Sequence, residues 1–159
     1  MLGFRKKVTV QSYWQPRLEG MFSGKNEAGW DFLQTSFHDP ALNAVEAKVF
    51  YAHMQAMTIQ VVSAVIAKSS STDASISSLM FVCTFLEDNN HKDVSSLVAR
   101  YNSAFGSSAT DGIRKMVAVF SEEVSDSRLT PPTVEGFYTT LYQLVQQVSN
   151  TLGAAKLTP

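Results

Sequence analysis

His53 and Cys83 are the residues of this 159-residue chain that pair a base with a nucleophile by type. A thiol attacks as thiolate, so it needs a base within hydrogen-bond reach. An enzyme built on His53 or Cys83 therefore requires the helices that carry them to meet. Otherwise Cys83, on an apolar stripe, behaves as a small hydrophobe. It is the only cysteine, which excludes an intrachain disulfide and a cysteine-based zinc site. Glu46 and His53 are seven positions apart and share a helix face, but two ligands do not complete a metal site. The run Gly20-Met21-Phe22-Ser23-Gly24-Lys25-Asn26 is one residue short of a phosphate loop. It also has Asn26 where a magnesium-binding hydroxyl is required. The nucleophile elbow Gly-x-Ser-x-Gly does not occur. No catalytic residue, cofactor or metal is expected from these patterns. Two acidic groups, Glu87-Asp88 and Glu122-Glu123-Asp126, fall at predicted helix ends and read as solvated surface.

The elements that must position these side chains are helical. Apolar residues return every three or four positions in six segments, with a short seventh over Trp30, Leu33 and Phe37. The first carries Trp14, Leu18, Met21 and Phe22, and Pro16 either starts it or bends it. Asp39-Pro40 is a start signal, because Asp caps orphan N–H groups and Pro suits the first helical turn. A long helix is expected from there to about 68, apolar all round between Val49 and Ile66, as the centre of a bundle is. Ile76, Leu79, Met80, Cys83 and Leu86 form the expected buried face of the next helix. Asn89-Asn90 ends it, and Asn90 is a candidate cap for the helix after. Val94, Leu97, Val98, Tyr101 and Phe105 then mark one helix, and Ile113, Met116, Val117, Phe120 and Val124 another. In the last helix, Val134, Tyr138, Leu141, Val145, Val148 and Leu152 form the stripe. The expectation is a single all-α domain over residues 1–159: a bundle of about six helices around a long central helix (about 40–68), with residues 1–8 as an N-terminal arm. The run Lys7-Val8-Thr9-Val10 is the only strand candidate and is too short to shape that fold.

Composition limits the function classes. Net charge is −1, and the 13 basic residues are scattered except for Arg5-Lys6-Lys7. Nucleic-acid binding needs a concentrated basic face, so no nucleic-acid partner is expected. Val49 to Ala67 lacks charge but holds His53, Gln55, Thr58, Gln60 and Ser63, so no membrane span is expected. The single cysteine and the missing secretory pattern suit the cytoplasm.

The unusual quantity is aromatic content, with ten Phe, five Tyr and two Trp. Phe32 and Phe81 lie off the main stripes of their helices, and Tyr142 flanks that of the last. Surplus apolar faces point to a partner, a second copy or a ligand cavity. The leading expectation is a non-enzymatic, self-associating interaction protein with Phe81 and Tyr142 at its interface. The alternative is a binder of a small apolar ligand between helices, with His53, Gln60 and Tyr138 as its polar groups. The third is the enzyme using His53 or Cys83.

Overall fold

A computed structural model describes residues 5–106 and 108–159. The described residues form an all-α bundle of eight helices with a tiny two-stranded sheet. The first strand, β1 (Lys6–Thr9), leads into α1 (Val10–Phe22), α2 (Glu27–Ser36) and the one-turn α3 (Pro40–Asn43). The long helices α4 (Ala47–Ser69) and α5 (Thr72–Asp88) follow, then α6 (Lys92–Phe105), α7 (Ala109–Ser125), α8 (Pro131–Gly153) and strand β2 (Ala155–Thr158).

Helix α4 is the hub, packing against α2, α5, α6, α7 and α8. Phe50, Met57, Ile59, Val61 and Ile66 are fully buried around its circumference. That matches a helix with no polar face to present to water. By length and composition α4 qualifies as a membrane span, yet 67% of its most apolar 18-residue stretch is buried inside the bundle.

The expected helix over 40–68 is interrupted. Asp39 caps the turn at Pro40 as anticipated, but α3 stops at Asn43 and α4 begins only at Ala47. Glu46 has ψ 135°, which turns the chain between them. Buried Gln34 supports the break, because its side-chain amide donates to the carbonyls of Leu42 and Val45, each at 2.9 Å. A break made by a side chain 8 and 11 residues upstream carries no Gly or Pro signal.

The face expected for α5 is also reversed, except at Leu86, which is buried as expected. Its buried residues are Ala74, Ser78, Val82 and Leu86, while Ile76, Leu79, Met80 and Cys83 face outward. The small Ser78 admits α1, and buried Trp14 donates its indole N–H to the Ser78 hydroxyl at 2.7 Å. In α8 the buried line is Thr133, Phe137, Leu141, Val148 and Leu152. Val134, Tyr138 and Val145 flank it, half-buried. The stripes expected for α6 and α7 match the buried faces, with Val98 and Val124 at their half-buried margins.

Pro16 lies within α1, neither starting nor ending it. Asn90 does not cap α6. It takes a left-handed conformation (φ 58°) that closes α5, with the His91 N–H returning to the Leu86 carbonyl at 2.8 Å.

Within the segment expected as an arm, β1 pairs in parallel with β2, joining the two ends of the chain. Leu157 of β2 is buried. Residues 1–4 of the expected arm lie outside the described residues.

Candidate functional site

His53 sits in the middle of α4 and is buried. Its Nδ1 lies 2.6 Å from the Tyr101 hydroxyl on α6, and its Nε2 is 3.9 Å from the Glu123 carboxylate on α7. A proton on Nε2 leaves Nδ1 free to accept from Tyr101. Arg100, beside Tyr101 on α6, ion-pairs with the same Glu123. The Phe120 ring meets the imidazole edge-on, with centroids 5.5 Å apart.

This environment keeps the imidazole neutral. Burial lowers its pKa to about 4, and the positive charge of Arg100 adds to the effect. Glu123 would favour the imidazolium, but its charge is already engaged by Arg100. Burial, and then the nearby Glu123 charge, raise the Tyr101 phenol well above its ordinary range. The cluster thus reads as a satisfied polar knot that fixes α4, α6 and α7 to one another.

Glu123 was expected on a solvated surface, yet it completes this knot. The residues that meet across helices are 23 positions apart or more, with Arg100–Glu123 the nearest contacting pair, so no local spacing reveals them. Glu46, the carboxylate expected to share a face with His53, is exposed at the start of α4. Cys83 is exposed on α5 and is not a hydrogen-bond partner of His53. Among the described residues, no three His, Cys, Asp or Glu side chains converge as a metal site.

The three residues expected to bind an apolar ligand do not converge. Gln60 is buried on α4, 3.4 Å from the Asn102 side chain, and lines a cavity of about 810 Å³ among α4, α5, α6 and α8. Its walls include Ala64, Ile76, Leu79, Phe105 and Val145. Tyr138 lines a separate hollow of about 310 Å³ with Arg114, whose guanidinium lies 4.4 Å from the ring centroid. His53 lines neither.

The two residues expected at an interface also separate. Phe81 is half-buried between α5 and α1. Tyr142 is 40% exposed and stacks on Tyr138 with centroids 6.3 Å apart. The large exposed side chains of α5 are instead Met80 (64%), Leu79 (55%) and Ile76 (54%), joined on the surface of α2 by Phe32 (74%). Sequence periodicity pointed to the α5 stripe but assigned it to the core.

No family model, no curated protein and no solved structure matches this chain.

Proposed function

We propose that this protein is a non-enzymatic helical interaction protein that associates with a second copy of itself through the outer face of α5. The observation that carries the reading is the stripe Ile76, Leu79, Met80 and Cys83, at i, i+3, i+4 and i+7, exposed on a folded helix. No charged residue interrupts α5 from Ala74 to Leu86. Burying this face against a partner therefore strands no charge of its own. Ile76 and Leu79 also wall the cavity of about 810 Å³, so a ridge and a groove lie side by side. A two-fold pairing sets the same patch against itself, which this ridge-and-groove arrangement suits. With net charge −1, copies of the chain repel one another little. The exposed Cys83 thiol suits a reducing compartment such as the cytoplasm.

Sedimentation equilibrium at micromolar concentration tests the reading. The expected result is a dimer that becomes monomeric in Leu79→Glu/Met80→Glu while the helical circular dichroism spectrum is retained, because both side chains are exposed on the single subunit. A strictly monomeric native protein overturns it.

A second reading is favoured by the same cavity. Its apolar walls, with Gln60 and Asn102 at one place, suit a small apolar ligand carrying one polar group. Native mass spectrometry of freshly purified protein tests this, with added mass as the expected result and a clean apo mass as the refuting one.

A further inference from the structure

A different cavity, between α1 and α5, is built from aromatic rings and carboxylates. On α5, Phe81, Phe85 and Asp88 fall at i, i+4 and i+7, and on α1 Glu19 and Phe22 are three apart, so each set shares one helix face. The two faces border an open hollow of about 480 Å³. His91 closes one end. The left-handed Asn90 turns the chain back, and the imidazole stacks on Phe22 with ring centroids 3.9 Å apart and planes within 18°. Phe85 lies 5.9 Å from Phe22 and 6.4 Å from His91, so three rings form one continuous wall. Phe81 extends it.

Glu19 and Asp88 supply negative charge at this wall. Neither takes part in an ion pair among the described residues. Glu19 accepts only a neutral amide hydrogen bond from Gln15. Two carboxylates without ion-pair partners thus stand at the rim of this ring cluster. The faces of aromatic rings carry negative electrostatic potential, and a cation within about 6 Å is attracted to them. Alkylammonium groups match both features, since their methyl or methylene surface packs on the rings while their charge answers the carboxylates.

We propose that this α1–α5 cavity binds an alkylammonium group, in particular a trimethylammonium head. Its source is either a free small cation or the modified lysine side chain of a protein. The site lies apart from the exposed α5 stripe and does not depend on self-association.

Calorimetric titration of the full chain with three probes tests the proposal. The probes are choline, the neutral isostere 3,3-dimethylbutan-1-ol and a short peptide containing trimethyllysine. Choline is expected to bind saturably and at least tenfold more tightly than the neutral isostere. Glu19→Gln/Asp88→Asn is expected to weaken choline tenfold or more without changing the melting temperature, since both side chains are exposed. Phe81→Leu keeps apolar bulk but removes a π face, and is expected to weaken choline several-fold. Tighter binding of the peptide than of choline assigns the site to a protein side chain, and the reverse assigns it to a free cation. Equal affinity for choline and the neutral isostere, or no binding of any probe, overturns the proposal.

Discussion

Asp39→Asn probes a carboxylate that ties two distant segments together. Asp39 is 1% exposed. Its Oδ1 accepts from the backbone N–H groups of Ala41 at 2.9 Å and Leu42 at 3.2 Å. Its Oδ2 accepts from the Thr130 N–H at 2.8 Å and the Thr133 hydroxyl at 2.7 Å, holding the start of α8 against α3. Asn keeps one carbonyl oxygen and puts an NH₂ donor in place of the other. If the oxygen stays on α3, the new donor faces the Thr130 N–H, which is left without an acceptor. The Thr133 hydroxyl can turn to Thr130 Oγ1, 2.9 Å away, so the backbone donor is the principal loss.

A buried donor left unmet costs about 1–3 kcal/mol, and a lost hydrogen bond to a charged group lies in the same range. The expected destabilisation at pH 7 is about 3 kcal/mol, or roughly 6–12 °C in melting temperature for a chain of this size. The pH dependence is a separate check. Burial pushes the Asp39 pKa up, but the hydrogen bonds from Thr133, Thr130 and Leu42 outweigh it and hold the carboxyl at about 2, against an ordinary 3.8. The unfolded chain therefore binds more protons between these values. The resulting stability, on the order of 2 kcal/mol, is present above pH 4 and is lost as the pH falls towards 2. About 1 kcal/mol of it is gone at pH 3. Urea unfolding of both proteins at pH 7 and pH 3 measures this directly. A penalty below ~1 kcal/mol at pH 7, or one that does not shrink at pH 3, refutes the reasoning.

Three further perturbations follow from the packing. His53 has a folded pKa of about 4, below the ordinary 6.5, so the unfolded chain binds its proton first as the pH falls. The stability this contributes, on the order of 3 kcal/mol, is full above pH 6.5 and disappears towards pH 4. His53→Gln should flatten the stability–pH curve in that window, and an unaltered slope in urea titrations counts against the assignment. Tyr101→Phe removes the hydroxyl facing His53 Nδ1 and is expected to cost about 1–2 kcal/mol in urea unfolding, against no change if water replaces it. Gly136→Ala should destabilise by about 1–3 kcal/mol, because a methyl there collides with the Phe37 ring, which also packs on Phe137 at 5.4 Å. Helix propensity alone predicts the opposite sign, a gain of about 1 kcal/mol, so differential scanning calorimetry separates the two.

Periodicity located the helical segments because a helix must bury a stripe, and stripes are written locally. It identified the buried lines of α6 and α7, where apolar and polar faces are clearly separated. It failed on α5, where Phe81, Val82 and Phe85 compete with Ile76, Leu79 and Met80. When both faces are apolar, the neighbour that docks decides between them, and that neighbour is Trp14, 64 positions away from Ser78. Strand β2 escaped notice for the same reason, and β1 showed only as the minor candidate Lys7–Val10. Lys6–Thr9 is ordinary extended chain until Ala155–Thr158 arrives beside it. Helix propensity marks Gly136 only as a mild weakness, and the Phe37 ring lying against it reveals a packing role. Among the candidate site residues, His53, Gln60, Tyr138, Phe81 and Tyr142 were recognisable by type. Their partners Tyr101, Glu123, Asn102 and Arg114 were not, since each comes from another helix.

The sequence by itself determined the secondary-structure class, the apolar character of the central helix and the capping role of Asp39, all of which depend on residues within a few turns of one another. Tertiary structure decided where the central helix begins, which side of α5 meets water, and that four aromatic rings and two carboxylates share one hollow. Those outcomes depend on contacts between segments far apart along the chain, and such contacts are fixed by how the helices pack together.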